Sequence, residues 1–338
     1  MKLINSSLVY LISVLFFISC SRDDTRAQQE LANQFSVVAT NNHIDDGSVD
    51  NGDGTTTNTL GGVSFVTIHN DYSDQPSLMS NQRVTARLNE TYTFPNEVVN
   101  FKVVDQHLYV NEAVSSFENY FATYLLSDQS QISKISANDS YISGFDFNGV
   151  GVVVDGGEDL DFYTVEDGEI KERFFSYENF VGSRFVSSLF VDENKCYVYE
   201  ADKIWAFTFG DIDNVQVVTT VPEFNTIAFD TDENNLYISA GDHGSSSIKI
   251  IDKDHHSLIH NIDLQGQYIT GLAVDANYIY VSNATFTSQR VYVYDKYTYE
   301  ELGSFSVNAP RSLQKVGNQL YVANFNLKTI ERYSIAFE

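Results

Sequence analysis

Seven histidines are the first candidates for acid–base or metal chemistry in this chain. His255 and His256 are adjacent in DKDHHS, His243 lies in AGDHGSSS, His69 ends VSFVTIH and His107 opens HLYVN. No HxH or HExxH spacing, which aims two imidazoles at one ion, occurs among them. The His255–His256 pair therefore reads as a solvated turn. Asp155, Glu158, Asp159 and Asp161 fall close together in DGGEDLD. Paired carboxylates suit general acid–base work or calcium, but in so acidic a chain exposed loop acids read first as solubility. No GxSxG, Walker or dinucleotide-binding signature has its strand-to-helix setting. The sequence shows no catalytic constellation, and neither a cofactor nor a resident metal is expected.

The elements that would position any site are strands. Hydrophobic residues make up 43% of the chain, and 21 Tyr and 24 Phe stand against 2 Met and 4 Pro. Aromatic and β-branched residues favour strands. From about residue 63 the chain repeats itself. A Leu/Ile-Tyr-Val/Ile strand recurs as HLYVN, CYVYE, NLYISAG, YIYVSNA and QLYVANF, with VGVVVD as a degenerate copy. The central residues Tyr109, Val152, Tyr197, Tyr237, Tyr280 and Tyr321 are 43, 45, 40, 43 and 41 residues apart. An apolar strand precedes each copy, an alternating strand follows, and a fourth usually comes after that. Four strands per 40–45 residues is the period of a β-propeller, so an all-β propeller of four-stranded blades is expected over 63–338.

The last copy supplies three strands, so the ring must borrow its closing strand from the N-terminal region. QFSVVAT at 34–40 would give seven blades and TYTFP at 91–95 would give six. Seven is the favoured count, because VSFVTIHN and RVTARLN have the look of blade strands.

Propeller geometry also says where a ligand would sit. Connections from second to third strand, and from fourth strand to the next blade, share one face around the channel. They carry Tyr72, Phe117, Tyr141, Phe185, Phe224, Tyr268, Phe286 and Phe325, with His243, Arg184 and Arg311. Aromatic rims suit a flat ligand such as a sugar ring or a macrocycle. The two arginines suit an anionic group held bidentately, or a neighbouring acid. Acids total 46 against 20 Lys and Arg, a formal charge of −26. Such a surface repels nucleic acid, so none is expected as a partner.

The N-terminus is the most specific signal. Lys2 precedes LVYLISVLFFI, an apolar run too short to span a membrane, and then Ser19-Cys20. This resembles a lipoprotein processing site, which implies a signal peptide over 1–19 and lipidation of Cys20. Phe17 stands where leucine is usual. The following Ser21-Arg22-Asp23-Asp24 resembles the export tag of Bacteroidota surface lipoproteins, which implies attachment to the outer membrane by the lipid alone. Residues 20–62, rich in Asn, Asp, Gly and Thr, read as a flexible tether. Cys196, in an apolar strand, reads as a small core residue.

The repeat strands YIYVSNATFTSQRVYVYDK and QLYVANFNLKTIERYSI resemble YVTN/YncE-type and NHL-like propellers over about residues 98–338. A lipidated propeller of this kind resembles proteins that capture cobalamin, siderophores or glycans for a TonB-dependent transporter. An interaction scaffold in an outer-membrane complex is the alternative implied, and a propeller lyase or glycan-acting enzyme the third.

Overall fold

The computed structural model describes residues 47–338 except 69–82, 116–117, 137–141, 156–158, 178–185, 201, 222–225, 242–244, 266 and 286–287. Cys20 and QFSVVAT lie outside the described residues. A three-stranded sheet comes first: β1 (Gly47–Asp50), β2 (Thr55–Leu60) and β3 (Val63–Ile68). Then comes β4 (Val84–Thr93). Blade 1 holds β5 (Glu97–Val104), β6 (His107–Ser115), β7 (Glu118–Leu125) and β8 (Gln131–Ser136). Blade 2 holds β9 (Ile142–Phe147), β10 (Val150–Asp155), β11 (Asp159–Glu166) and β12 (Glu169–Tyr177). Blade 3 holds β13 (Val186–Asp192), β14 (Lys195–Glu200), β15 (Lys203–Thr208) and β16 (Asp211–Thr220). Blade 4 holds β17 (Thr226–Thr231), β18 (Asn235–Gly241), β19 (Ser245–Asp252) and β20 (Leu258–Gln265). Blade 5 holds β21 (Ile269–Val274), β22 (Tyr278–Thr285), β23 (Ser288–Asp295) and β24 (Glu301–Ser306). Blade 6 takes β25 (Pro310–Val316), β26 (Gln319–Asn324) and β27 (Thr329–Phe337), and its outer strand is β4.

The ring therefore has six blades, and the seventh sheet is three-stranded and stands outside it. This corrects the favoured count of seven. RVTARLN and TYT are two halves of one closing strand, paired with β27 from Val84↔Phe337 to Thr93↔Thr329. VSFVTI pairs with Thr55–Leu60 instead of opening a blade. Part of the stretch read as tether is thus a β-hairpin turning at Asn51-Gly52-Asp53-Gly54, where both glycines have positive φ.

Why a ring forms is visible in the burial. Continuous apolar runs such as Cys196–Tyr199 are buried on both faces of a blade, and one sheet cannot cover both. Six apolar clusters answer this, one at each blade interface. Cys196 is fully buried in the cluster between blades 2 and 3, as its strand pattern predicts.

The three-stranded sheet docks on the lower face, where first strands turn into second and third into fourth. Leu60 and Phe65 join the blade 2–3 cluster. Gly149 has φ +78, and a Cβ there would lie 1.9 Å from the Val66 carbonyl oxygen. Only glycine allows that approach.

Candidate functional site

Aligning the blades on the Tyr109–Tyr321 column places one residue per blade at the same depth in the channel. Lys102, Asp146, Phe190, Asp230, Ala273 and Gln314 pair with Tyr109, Val152, Tyr197, Tyr237, Tyr280 and Tyr321 respectively. Lys102, Phe190, Asp230 and Gln314 of this layer line two cavities, one on each side, and so form the floor between them. The upper one has a volume of about 190 Å³ and the lower one about 500 Å³. Lys102 extends from blade 1 to residues of blades 2 and 3. Its ammonium lies 3.1 Å from Asp146 Oδ1 and 5.0 Å from the centre of the Phe190 ring.

Three floor residues also clip adjacent blades together. Asp146 Oδ2 accepts the Val191 N–H at 2.8 Å, Asp230 Oδ2 accepts the Val274 N–H at 2.6 Å, and Gln314 Oε1 accepts the Val103 N–H at 2.6 Å. Burial pushes the Asp230 carboxyl up to about 7, although the Val274 and Thr231 N–H groups and the Lys102 charge pull the other way.

The upper mouth is where sequence reasoning placed the ligand. Tyr72, Phe117, Tyr141, Arg184, Phe185, Phe224, His243 and Phe286 lie outside the described residues. The other three come together. Arg311 stacks its guanidinium on the Phe325 ring at 4.4 Å, and Phe325 is presented by a single 3-10 turn, Phe325–Leu327. Tyr268 lies close enough to bear on the Arg311 charge. Burial pushes the guanidinium below its ordinary value, against the opposing effects of Tyr268 and Glu97. Among the described residues no carboxylate lies within ion-pair distance of Arg311 and no acceptor takes its N–H groups.

Glu112 and Glu200 are occupied within the ring. Glu112 is fully buried, accepting from Asn96 Nδ2 at 2.8 Å and from the Tyr124 hydroxyl. Glu200 is buried and accepts the Trp205 indole N–H at 2.7 Å. Of the acids at 155–161, Glu158 lies outside the described residues, and Asp161 is buried on Arg173 at 2.9 Å. His255 is exposed in its turn, against Asp252 at 3.0 Å.

The floor residues Lys102, Asp146 and Asp230, and the wall residues Asn111 and Ser312, were missed from sequence. Their signal was the register: each floor residue faces the tyrosine column across one pair of strands.

Solved propellers share this architecture. The β-propeller domain of Cps50 (Swd1) from Myceliophteria thermophila superposes with a TM-score of 0.55 at 8% identity, covering 75% of this chain and 100% of that one. The Neurospora crassa Pan2 WD40 domain gives 0.50 at 9% identity, over 77% and 97%. Chaetomium thermophilum Raptor gives 0.53 at 11% identity, over 75% of this chain and 30% of that protein. At these identities the likeness is one of fold, a WD40-type β-propeller. No protein-family model matches the sequence, and no curated protein is similar to it in sequence.

Proposed function

We propose that this chain is a lipid-anchored, outer-surface propeller that captures a small ligand at its upper channel mouth for a TonB-dependent transporter. Arg311 carries the reading. In a chain of 46 acids and 20 Lys and Arg, it is a cation held at the mouth of a polar cavity with no carboxylate within ion-pair distance among the described residues. Such a group is matched by an anion from outside. The lipoprotein-like segment ending at Cys20 supports the anchor. The β1–β3 sheet joins the ring on the lower face, so a tether from Cys20 would leave the Arg311 mouth pointing away.

The cavity of about 190 Å³ is below the size of a drug-like site, roughly 300–1,000 Å³. It admits one small unit of a glycan or the edge of a larger ligand. A corrinoid or ferric siderophore would lie across the mouth with a single group inserted. The test is a thermal-shift screen of the purified protein with cobalamins, ferric siderophores, haem and oligosaccharides, run beside Arg311→Ala. A concentration-dependent rise from one class, lost in the variant, is expected. No rise from any class overturns capture. The anchor is tested separately by metabolic labelling with palmitate, which Cys20→Ala must abolish.

A protein-interaction scaffold is the second reading, and one surface favours it. Leu258, Ile259 and Tyr297 are 58%, 50% and 50% exposed. They flank a blade 4–5 contact in which His260 stacks on Tyr299 at 4.1 Å. Exposed apolar groups gathered in one place mark protein contacts.

A further inference from the structure

Resting on that reading, the walls of the upper cavity define the group it accepts. Two residues above the floor, each inner strand contributes a small or amide side chain: Asn100, Gly144, Ser188, Ala228, Gly271 and Ser312. This layer leaves the space that the larger floor residues close. Gly271 is fixed by packing, since a Cβ there would meet the Arg311 carbonyl oxygen at 2.3 Å and Ser282 Oγ at 2.8 Å.

Three polar groups lining this space have unmet demand. Asn111 is fully buried and its Nδ2 donates to the Ile142 carbonyl at 3.4 Å, but its Oδ1 receives no donor. Ser312 Oγ is buried and has no partner. The Arg311 guanidinium stacks on Phe325 with its N–H groups unclaimed among the described residues. Buried polar atoms are normally satisfied, and a bare one is destabilising.

We propose that the upper cavity binds a hydroxycarboxylate. Its carboxylate lies on Arg311, a neighbouring hydroxyl donates to Asn111 Oδ1, and Ser312 completes the set. The charge arithmetic selects a single negative charge. Lys102 is already engaged by Asp146, so among the described lining residues Arg311 is the cation left to be matched, and a dianion such as phosphate brings more charge than it can balance. A planar carboxylate also fits the guanidinium fork. The acidic end of a glycan and a free open-chain hydroxy acid share this chemistry.

Isothermal titration calorimetry on the purified protein tests it with D-glucuronate and D-gluconate as probes. D-glucose, which lacks the carboxylate, acetate, which lacks the hydroxyl, and inorganic phosphate are the comparators. One or both hydroxycarboxylates bind, and each comparator is at least about tenfold weaker. Glucuronate ahead of gluconate assigns a glycan end, and the reverse order assigns a free acid. Arg311→Gln weakens binding by at least about tenfold, and Arg311→Lys by less because the charge remains without the fork. Asn111→Ala weakens glucuronate or gluconate but leaves acetate unchanged, which a merely structural role would not produce. Glucose binding as tightly as glucuronate overturns the charge assignment, and tighter phosphate overturns the carboxylate. If no hydroxycarboxylate binds while the thermal screen finds another ligand, this inference fails and capture stands; silence in both defeats both.

Discussion

Replacing Lys296 with methionine isolates one buried tie between blades and gives it a pH signature. Lys296 Nζ lies 2.8 Å from Asp232 Oδ2, with side chains 12% and 8% exposed, and donates to the Asp275 carbonyl at 3.0 Å. Asp232 also accepts the Asn234 and Asn235 N–H groups and the Tyr237 hydroxyl. At an effective dielectric of about 20 and a separation of about 3 Å, the Coulomb attraction is roughly 5–6 kcal/mol before desolvation is subtracted. Breaking such a pair from one side costs about 3–5 kcal/mol. Because Asp232 keeps four hydrogen bonds, one of them from the Asn235 amide at 3.3 Å, and methionine keeps the aliphatic stem, the loss in Lys296→Met is expected near the lower end, about 3 kcal/mol.

The pH dependence follows from the carboxyl. Burial alone would raise it, but Lys296, Tyr237 and the turn N–H groups together hold it below the usual carboxylate range. A depressed carboxyl contributes stability above its unfolded value, about 3.9, and that contribution disappears as pH falls through the native value. In Lys296→Met the native carboxyl moves upward and protonates sooner. The gap between variant and parent should therefore be widest near neutrality and shrink towards about pH 4. Urea unfolding followed by Trp205, the single tryptophan and 2% exposed, measures both. A loss under about 1 kcal/mol at neutral pH, or one of equal size at both pH values, refutes the latch.

Asp230 gives the opposite slope. Its carboxyl is pushed up to about 7, so between about pH 4 and 7 the native state holds a proton that the unfolded chain has lost, and stability falls as pH rises. Asp230→Asn should flatten the urea midpoint across that range; an unchanged slope means that the carboxyl titrates normally. Gly149→Ala should undock the β1–β3 sheet and spare the ring, because its Cβ would lie 1.9 Å from the Val66 oxygen. Hydrogen exchange should quicken in residues 47–68 and stay slow in blades 4–6, and unaltered exchange in 47–68 would contradict that dock. Cys196 is fully buried and burial pushes its thiol up, so Ellman's reagent should label it only after unfolding. Rapid labelling in native buffer would disagree with the blade 2–3 cluster.

The tyrosine column made the architecture legible, because a buried strand beside the inner one keeps its chemistry in every blade. Five of the six central residues are Tyr and the sixth is Val152. The count was harder. β3 is a true strand with the alternation of a blade strand, and periodicity says nothing about which partner it pairs with. The β1–β2 hairpin hid for another reason. Its inward residues include Thr56 and Asn58, with Asn58 fully buried and satisfied by Ser48 at 2.6 Å and Thr67 at 3.0 Å. A strand whose buried face is polar has no hydrophobic period, so its composition passes for a tether. The channel floor hid because its equivalent positions hold Lys, Asp, Phe, Ala and Gln, which share no residue type. Arg311, Phe325 and Tyr268 were visible as rim residues, but their association depends on spatial neighbours in blades 5 and 6.

The polar ties explain why Arg311 stands apart. Lys102–Asp146 joins blades 1 and 2, and Asp146 to the Val191 N–H joins 2 and 3. Lys253–Asp192 at 2.6 Å joins 3 and 4, Lys296–Asp232 joins 4 and 5, Lys315–Asp275 at 2.9 Å joins 5 and 6, and Gln314 to Val103 closes 6 onto 1. Every interface thus carries a tie as well as an apolar cluster, which fixes register around the ring where apolar packing alone would allow slippage. These ties absorb Lys102 and Lys315, the two lysines that line the channel cavities. Arg311 holds no blade to its neighbour through its guanidinium among the described residues. This half-buried guanidinium, kept on an aromatic face at the open end and outside the ties that close the ring, is the group on which the proposed capture rests.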